Sequence, residues 1–83
     1  MTPHHAQMMK GFAMNAYKIM MRLKEGIYSR IQAQKLMKKV KEEANEMAKK
    51  ASVKSIRHHY HTVQHLAKEL SKEVRKTRRN RRA

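Results

Sequence analysis

This chain of 83 residues is strongly basic, with 21 lysines and arginines against 6 acidic residues and a formal net charge of +15. It contains no cysteine, which excludes disulfides and thiolate metal sites, and no apolar run approaches the roughly 20 residues that a transmembrane helix needs. Hydrophobic residues make up 40% of the chain, too large a share for a disordered basic tail. We therefore expect one small domain with a marginal core, whose positive charge is relieved by a polyanion.

The first predicted helix covers residues 4–25. Its apolar side chains recur every three or four residues, which is the period of a helix with one buried face. Pro3 suits the first turn, where a missing N–H costs nothing, and Gly26 suits a C-cap. The apolar positions are Met9, Phe12, Ala16, Met20, Leu23 and Ile27.

This first segment is also basic, and no acidic residue precedes Glu25. Amphipathic, basic and acid-poor N-terminal segments are typical of mitochondrial presequences. We therefore expect a mitochondrial location, in the matrix, with a cytosolic or nuclear ribonucleoprotein as the alternative.

The second predicted helix covers residues 29–51. Ser29 and Gln32 have the spacing of a capping box, which satisfies backbone N–H groups at a helix start. Acidic and basic residues are nearly balanced along this helix, unlike the rest of the chain. Its apolar positions are Ala33, Leu36, Val40, Ala44, Met47 and Ala51.

The third predicted helix covers residues 53–77 and has the most regular pattern. Its apolar residues alternate in steps of three and four, as in a heptad repeat, so the helix is expected to lie along another helix and to contact neighbouring proteins. We call these residues the third-helix seam: Val53, Ile56, Tyr60, Val63, Ala67, Leu70 and Val74.

Two arrangements of the second and third helices follow from the sequence. At roughly 100° per residue, their apolar faces would lie about 160° apart on one continuous helix. Either the chain turns near Ser52 and Ser55 and forms a three-helix bundle, or one long bent helix has partners on both faces. The absence of glycine and proline favours continuity, whereas two serines able to cap a new helix favour the turn, which we prefer. The predicted fold is all-α, with two to three amphipathic helices in a single domain over residues 1–77.

A cationic surface lies opposite the third-helix seam. Arginine forks onto phosphates and lysine acts as a point charge, so such a surface is typical of RNA binding. The arginine-rich tail, residues 78–83, has no apolar anchors and is expected to be disordered until a phosphate backbone orders it. We call the predicted RNA-binding residues the basic face: Lys54, Arg57, His58, His61, His65, Lys68, Lys72, Arg75, Lys76, Arg78, Arg79, Arg81 and Arg82.

The histidines of the third helix raise a metal-binding alternative. His61 and His65 have the i, i+4 spacing that can bind zinc, and Glu69 extends the same stripe. Their neighbours are cationic, which disfavours a dication, so we expect no metal and no other cofactor. The sequence contains no nucleophile with its base, no carboxylate pair and no glycine-rich phosphate loop. We therefore expect neither an enzyme nor a small-molecule substrate. Membrane association is disfavoured because no apolar run is long enough to span a bilayer, with amphipathic membrane binding by residues 4–25 left open.

Residues 16–22, AYKIMMR, resemble the leucine–tyrosine–arginine motif of small basic three-helix mitochondrial proteins. The resemblance implies attachment to a respiratory complex, to iron–sulfur machinery or to a mitoribosome, often with an acyl carrier protein. It covers seven residues, and Ala16 stands where that family has leucine. The downstream helices show no further match, so we assign no family.

These features together predict a structural RNA-binding protein, in particular a small protein of the mitochondrial ribosome. Its expected partners are rRNA and neighbouring proteins of a large complex. Two alternatives stay open at the level of sequence. One is an accessory helical subunit of a protein assembly, such as a respiratory complex or a microtubule lattice. The other is a DNA-condensing basic protein.

Overall fold

Three helices form the described part of the chain, and each of them packs against the other two. The computed structural model describes the backbone of residues 3–50 and 53–82 and the side chains of residues 5–50 and 56–76. The helices are α1 (Pro3–Lys24), α2 (Arg30–Lys50) and α3 (Val53–Arg82). The predicted all-α bundle is confirmed. Over the residues described, none of the helices has an apolar stretch long enough to cross a membrane.

The end of α1 is a Schellman motif around Gly26. The N–H of Ile27 donates to the carbonyl of Arg22 (2.9 Å), and the N–H of Gly26 donates to the carbonyl of Leu23 (3.1 Å). Gly26 has a φ of 77°, which an L-residue with a Cβ adopts only at a cost. The predicted C-cap is therefore confirmed, and it turns the chain towards α2.

Ser29 caps the beginning of α2, as its sequence spacing predicts. Its Oγ accepts a hydrogen bond from the backbone N–H of Gln32 at 3.1 Å. This bond satisfies one of the N–H groups that a helix start leaves without an intrahelical acceptor.

The chain reverses between α2 and α3, so the long bent helix is ruled out. α2 ends at Lys50 and α3 begins at Val53, while Ala51 and Ser52 lie outside the described residues. The two apolar faces, opposed on a continuous helix, can face one common core only if the chain folds back between them. Burial of both faces drives this turn in the absence of glycine or proline.

Each helix contributes one apolar face to the core. Three of its positions, Ala13, Ile19 and Met37, were not in the predicted pattern, because a helix buried between two neighbours presents a wider apolar face than a single stripe. Ile27, which was in the pattern, is 63% exposed because it follows the Gly26 cap. The buried residues are Met9, Ala13, Ala16, Ile19, Met20, Ala33, Met37, Val40, Ala44, Ile56, Val63, Leu70 and Val74.

The bundle is elongated, with extents of 50 × 18 × 16 Å. α3 has 30 residues and α2 has 21, so α3 is longer by about 13 Å at 1.5 Å per residue. The helical backbone of α3 is described to Arg82, and the predicted disorder of the arginine-rich tail until a phosphate backbone orders it stays a prediction. A helix that is already nucleated gains a hydrogen bond with each added residue, and arginine is a good helix former.

Candidate nucleic-acid interface

The basic face lies on the outer side of α3. Every one of its members whose side chain is described is exposed, from Arg57 near one end to Lys76 near the other. The side chains of Lys54, Arg78, Arg79, Arg81 and Arg82 lie outside the described residues. The exposed members are Arg57, His58, His61, His65, Lys68, Lys72, Arg75 and Lys76.

The burial of the third-helix seam turns the basic face outward. Ile56, Val63 and Leu70 are at most 2% exposed, and the helical period places the cations on the opposite side. Tyr60 and Ala67 are half-buried against the same core, and Val53 lies outside the described side chains. The described seam residues pack inside this chain, so they are not a free surface for neighbouring proteins.

One histidine of the basic face lies at ion-pair distance from a carboxylate. Nε2 of His65 lies 3.8 Å from Oε1 of Glu69, a pair that is charged on both sides only when the imidazole is protonated. His58 and His61 are exposed beside it. Within the described residues, no group of three or more histidine or carboxylate side chains is arranged to hold a metal ion.

A polar contact fixes the position of α2 along α3. The hydroxyl of Tyr60 donates to Oδ1 of Asn45 at 2.7 Å, and Nε2 of Gln64 donates to the same oxygen at 3.2 Å. Both hydrogen bonds are partly buried, where the exclusion of water strengthens them. The contact sets which α2 side chains face the basic residues of α3.

A groove between α2 and α3 brings additional lysines to the edge of the basic face. Met37, Ala67 and Leu70 contribute apolar atoms, and the groove encloses about 300 Å³. Among the described residues that line it there is no carboxylate. We call this surface the α2–α3 groove, lined by Gln34, Met37, Lys38, Lys41, Ala67, Lys68, Leu70 and Ser71.

The carboxylates of α2 lie on a different side of the bundle. Glu42, Glu43 and Glu46 line a second groove, together with Met8 and Phe12 of α1. Glu46 pairs with the neighbouring Lys49 at 3.6 Å, and both side chains are largely exposed. The near balance of charge in the α2 sequence therefore hides a partial segregation, because the three glutamates line the groove beside α1 together with Lys50, whereas Lys38 and Lys41 line the α2–α3 groove.

This segregation was missed at the sequence level. Lys38 and Lys41 share a helix face with Gln34, a spacing that was visible in the sequence. Which neighbour that face meets depends on how α2 packs, and only the tertiary structure determines it.

The outer surface of α1 carries exposed apolar side chains. Met14 is 56% exposed, Tyr17 58% and Met21 39%. A shallow groove of about 450 Å³ runs beside them, and Gly11 leaves its floor open. Of residues 16–22, Tyr17 and Met21 lie on this surface, while Ala16 is buried and Arg22 donates a hydrogen bond to the hydroxyl of Tyr28 at 3.0 Å.

The fold and the site thus define a small three-helix bundle whose described basic residues of α3 are exposed along its outer side. No family model matches the chain, and the comparisons with curated proteins and with solved structures found no match either.

Proposed function

We propose that this protein is a structural RNA-binding protein that contacts RNA through the basic face. The observation that carries the proposal is the exposure of every described member of that face along one side of α3. A row of cations on a rigid helix neutralises successive phosphates and releases their counterions, which favours binding. The proposal assigns no catalytic activity and no cofactor to the protein.

We further propose that the RNA is rRNA and that the protein belongs to a ribosome, with the mitochondrial ribosome favoured. Support comes from the small size of the chain, its net charge of +15 and the length of α3. A helix of 30 residues spans about 45 Å, enough to follow a folded RNA over several phosphates. Association with mitoribosomal particles in fractionated mitochondria tests this assignment, and a chain found only outside the organelle contradicts it.

RNA binding is tested by measuring the affinity of the full chain for a structured RNA at increasing salt. We expect the logarithm of the association constant to fall with the logarithm of salt by about 0.7–0.9 for each phosphate contacted. Replacing Arg57, Lys72 and Arg75 with glutamine should lower this slope by about 2–3. A flat salt response of the unmodified chain would refute the proposal.

A second candidate function is favoured by the outer surface of α1. Exposed Met14 and Tyr17 offer an apolar contact for a neighbouring protein, as in an accessory subunit of a larger assembly. Under this alternative, a chain truncated after Thr77 assembles normally, whereas Met14→Gln with Tyr17→Ser does not. Under the RNA proposal the truncated chain loses affinity. A competition between duplex DNA and structured RNA distinguishes the DNA-condensing alternative, which predicts equal binding of both.

A further inference from the structure

The α2–α3 groove combines a rim of lysines with an apolar floor, and a charged surface that is only solvated needs no such combination. Lysines from two helices, Lys38 and Lys41 of α2 and Lys68 of α3, converge on its rim. The side chains of Met37 and Leu70, which are at most 3% exposed, form the apolar floor of the groove beneath these lysines. Among the described side chains, the recorded ion pairs engage Lys49 and His65 and none of these three lysines.

The shape and the chemistry of the groove define the ligand. A volume of about 300 Å³ is at the small end of ligand pockets, so the groove accommodates one small group and not the width of a duplex. The ligand must carry negative charge, which the lysines of the rim attract, and a flat or apolar part, which packs on the apolar floor of the groove. An unpaired nucleotide has both, and unpaired nucleotides are what proteins recognise in RNA loops and bulges.

We propose that the α2–α3 groove binds an unpaired nucleotide of the RNA, with its flanking phosphates on Lys38, Lys41 and Lys68. This inference rests on the proposed function, because it extends the RNA contact from the outer side of α3 onto α2. The carboxylates of α2, Glu42, Glu43 and Glu46, line the groove beside α1, and none of them lines the α2–α3 groove. The RNA therefore approaches from the α2–α3 side, which is the side that repels it least.

The test compares two double variants of the full chain with the same loss of charge. Lys38→Gln with Lys41→Gln removes the α2 side of the rim. Lys35→Gln with Lys39→Gln removes two lysines of α2 that are exposed but do not line the groove. Glutamine keeps a similar side-chain length and helix propensity, and circular dichroism confirms that both variants fold. Fluorescence anisotropy then measures binding to an RNA hairpin with an unpaired loop and to a fully paired RNA of equal length.

For the groove variant we expect hairpin affinity to fall about tenfold at physiological salt, with a salt slope lower by about 1.4, since each phosphate contact on a single strand contributes about 0.7. The control variant should lose less than about threefold, because neither lysine lines the groove and an exposed charge that contacts no phosphate acts only through a field that salt screens. Equal losses in the two variants, or equal losses on hairpin and paired RNA, overturn the proposal while leaving RNA binding intact. Absence of RNA binding by the unmodified chain removes the proposed function itself.

A free nucleotide carries the same phosphate and nucleobase as a nucleotide within RNA, so binding of adenosine monophosphate to the protein is measured in a separate titration. We expect it to bind weakly, because it lacks the neighbouring phosphates that Lys41 and Lys68 would contact. Saturable binding of adenosine monophosphate that depends on Lys38 and Lys41, without any effect of these residues on hairpin binding, assigns the groove to a free nucleotide and overturns the RNA assignment.

Discussion

At the scale of single residues, the two glycines have opposite structural roles. Gly26 has a φ of 77° within the cap of α1, whereas Gly11 lies inside the helix, where an added Cβ would meet no atom within 4 Å. The first is required by the backbone, and the second lowers helix stability because glycine is a poor helix former.

We therefore predict opposite effects from the same substitution at these two positions. Gly26→Ala should lower the free energy of unfolding by about 1–2 kcal/mol, because it places a Cβ in the left-handed region. Gly11→Ala should raise it by up to about 1 kcal/mol. Urea denaturation followed by circular dichroism measures both, and a change of the same sign in the two variants contradicts the assignment.

The hydrogen bond between Tyr60 and Asn45 is the residue-scale contact that aligns α2 with α3. Tyr60→Phe should lower the free energy of unfolding by about 1 kcal/mol, because the phenol donor is lost beside a partly buried acceptor. Tyr17→Phe is the matched control. Because Tyr17 is 58% exposed, the loss of its hydroxyl should change the free energy of unfolding by less than about 0.5 kcal/mol. Similar thermal unfolding curves for the two variants would argue against a structural role for this contact.

At the scale of the elements, α3 contributes both the core and the basic face. Its inner side packs on α1 and α2, while its outer side presents the cations. The two functions are separable because successive positions of a helix point in different directions. Substitutions on the inner side should therefore change folding, and those on the outer side should change binding.

Leu70→Ala tests the inner side. Leu70 is 2% exposed, so truncating it should lower the free energy of unfolding by about 2–5 kcal/mol, through lost burial and the cavity left behind. Ile31→Ala is the control on α2, because Ile31 is 67% exposed and little is lost. Denaturant midpoints that shift equally in both variants would contradict the packing of α3 described here.

At the scale of the whole molecule, the net charge of +15 opposes folding and favours association with a polyanion. Like charges on one compact body repel one another, and dissolved salt screens the repulsion. The same salt weakens binding to RNA by reducing the gain from counterion release.

Salt should therefore affect folding and binding in opposite directions. We expect the thermal midpoint of the free protein to rise between low and physiological salt, while its affinity for RNA falls. Thermal unfolding and anisotropy titrations in the same buffers measure the two quantities. A thermal midpoint that falls with added salt would mean that local ion pairs, such as Glu46–Lys49, outweigh the net repulsion.

The sequence by itself determined the helices and the orientation of the basic face. Period and capping residues located α1 and α2 to within one or two residues, and the heptad pattern of α3 identified which of its sides is buried. These features are local, since each depends on the spacing of residues within one helix.

Only the tertiary structure decided that the chain folds back between α2 and α3 and does not continue as one helix, because local signals conflicted and burial of both apolar faces resolved them. It also showed that the described third-helix seam is used within the chain and not offered to neighbours. The placement of Lys38 and Lys41 beside Lys68, in a groove that no α2 carboxylate lines, likewise depends on helix packing. Sequence spacing shows which residues share a face, but the surface that the face meets is fixed by contacts between residues distant in the chain.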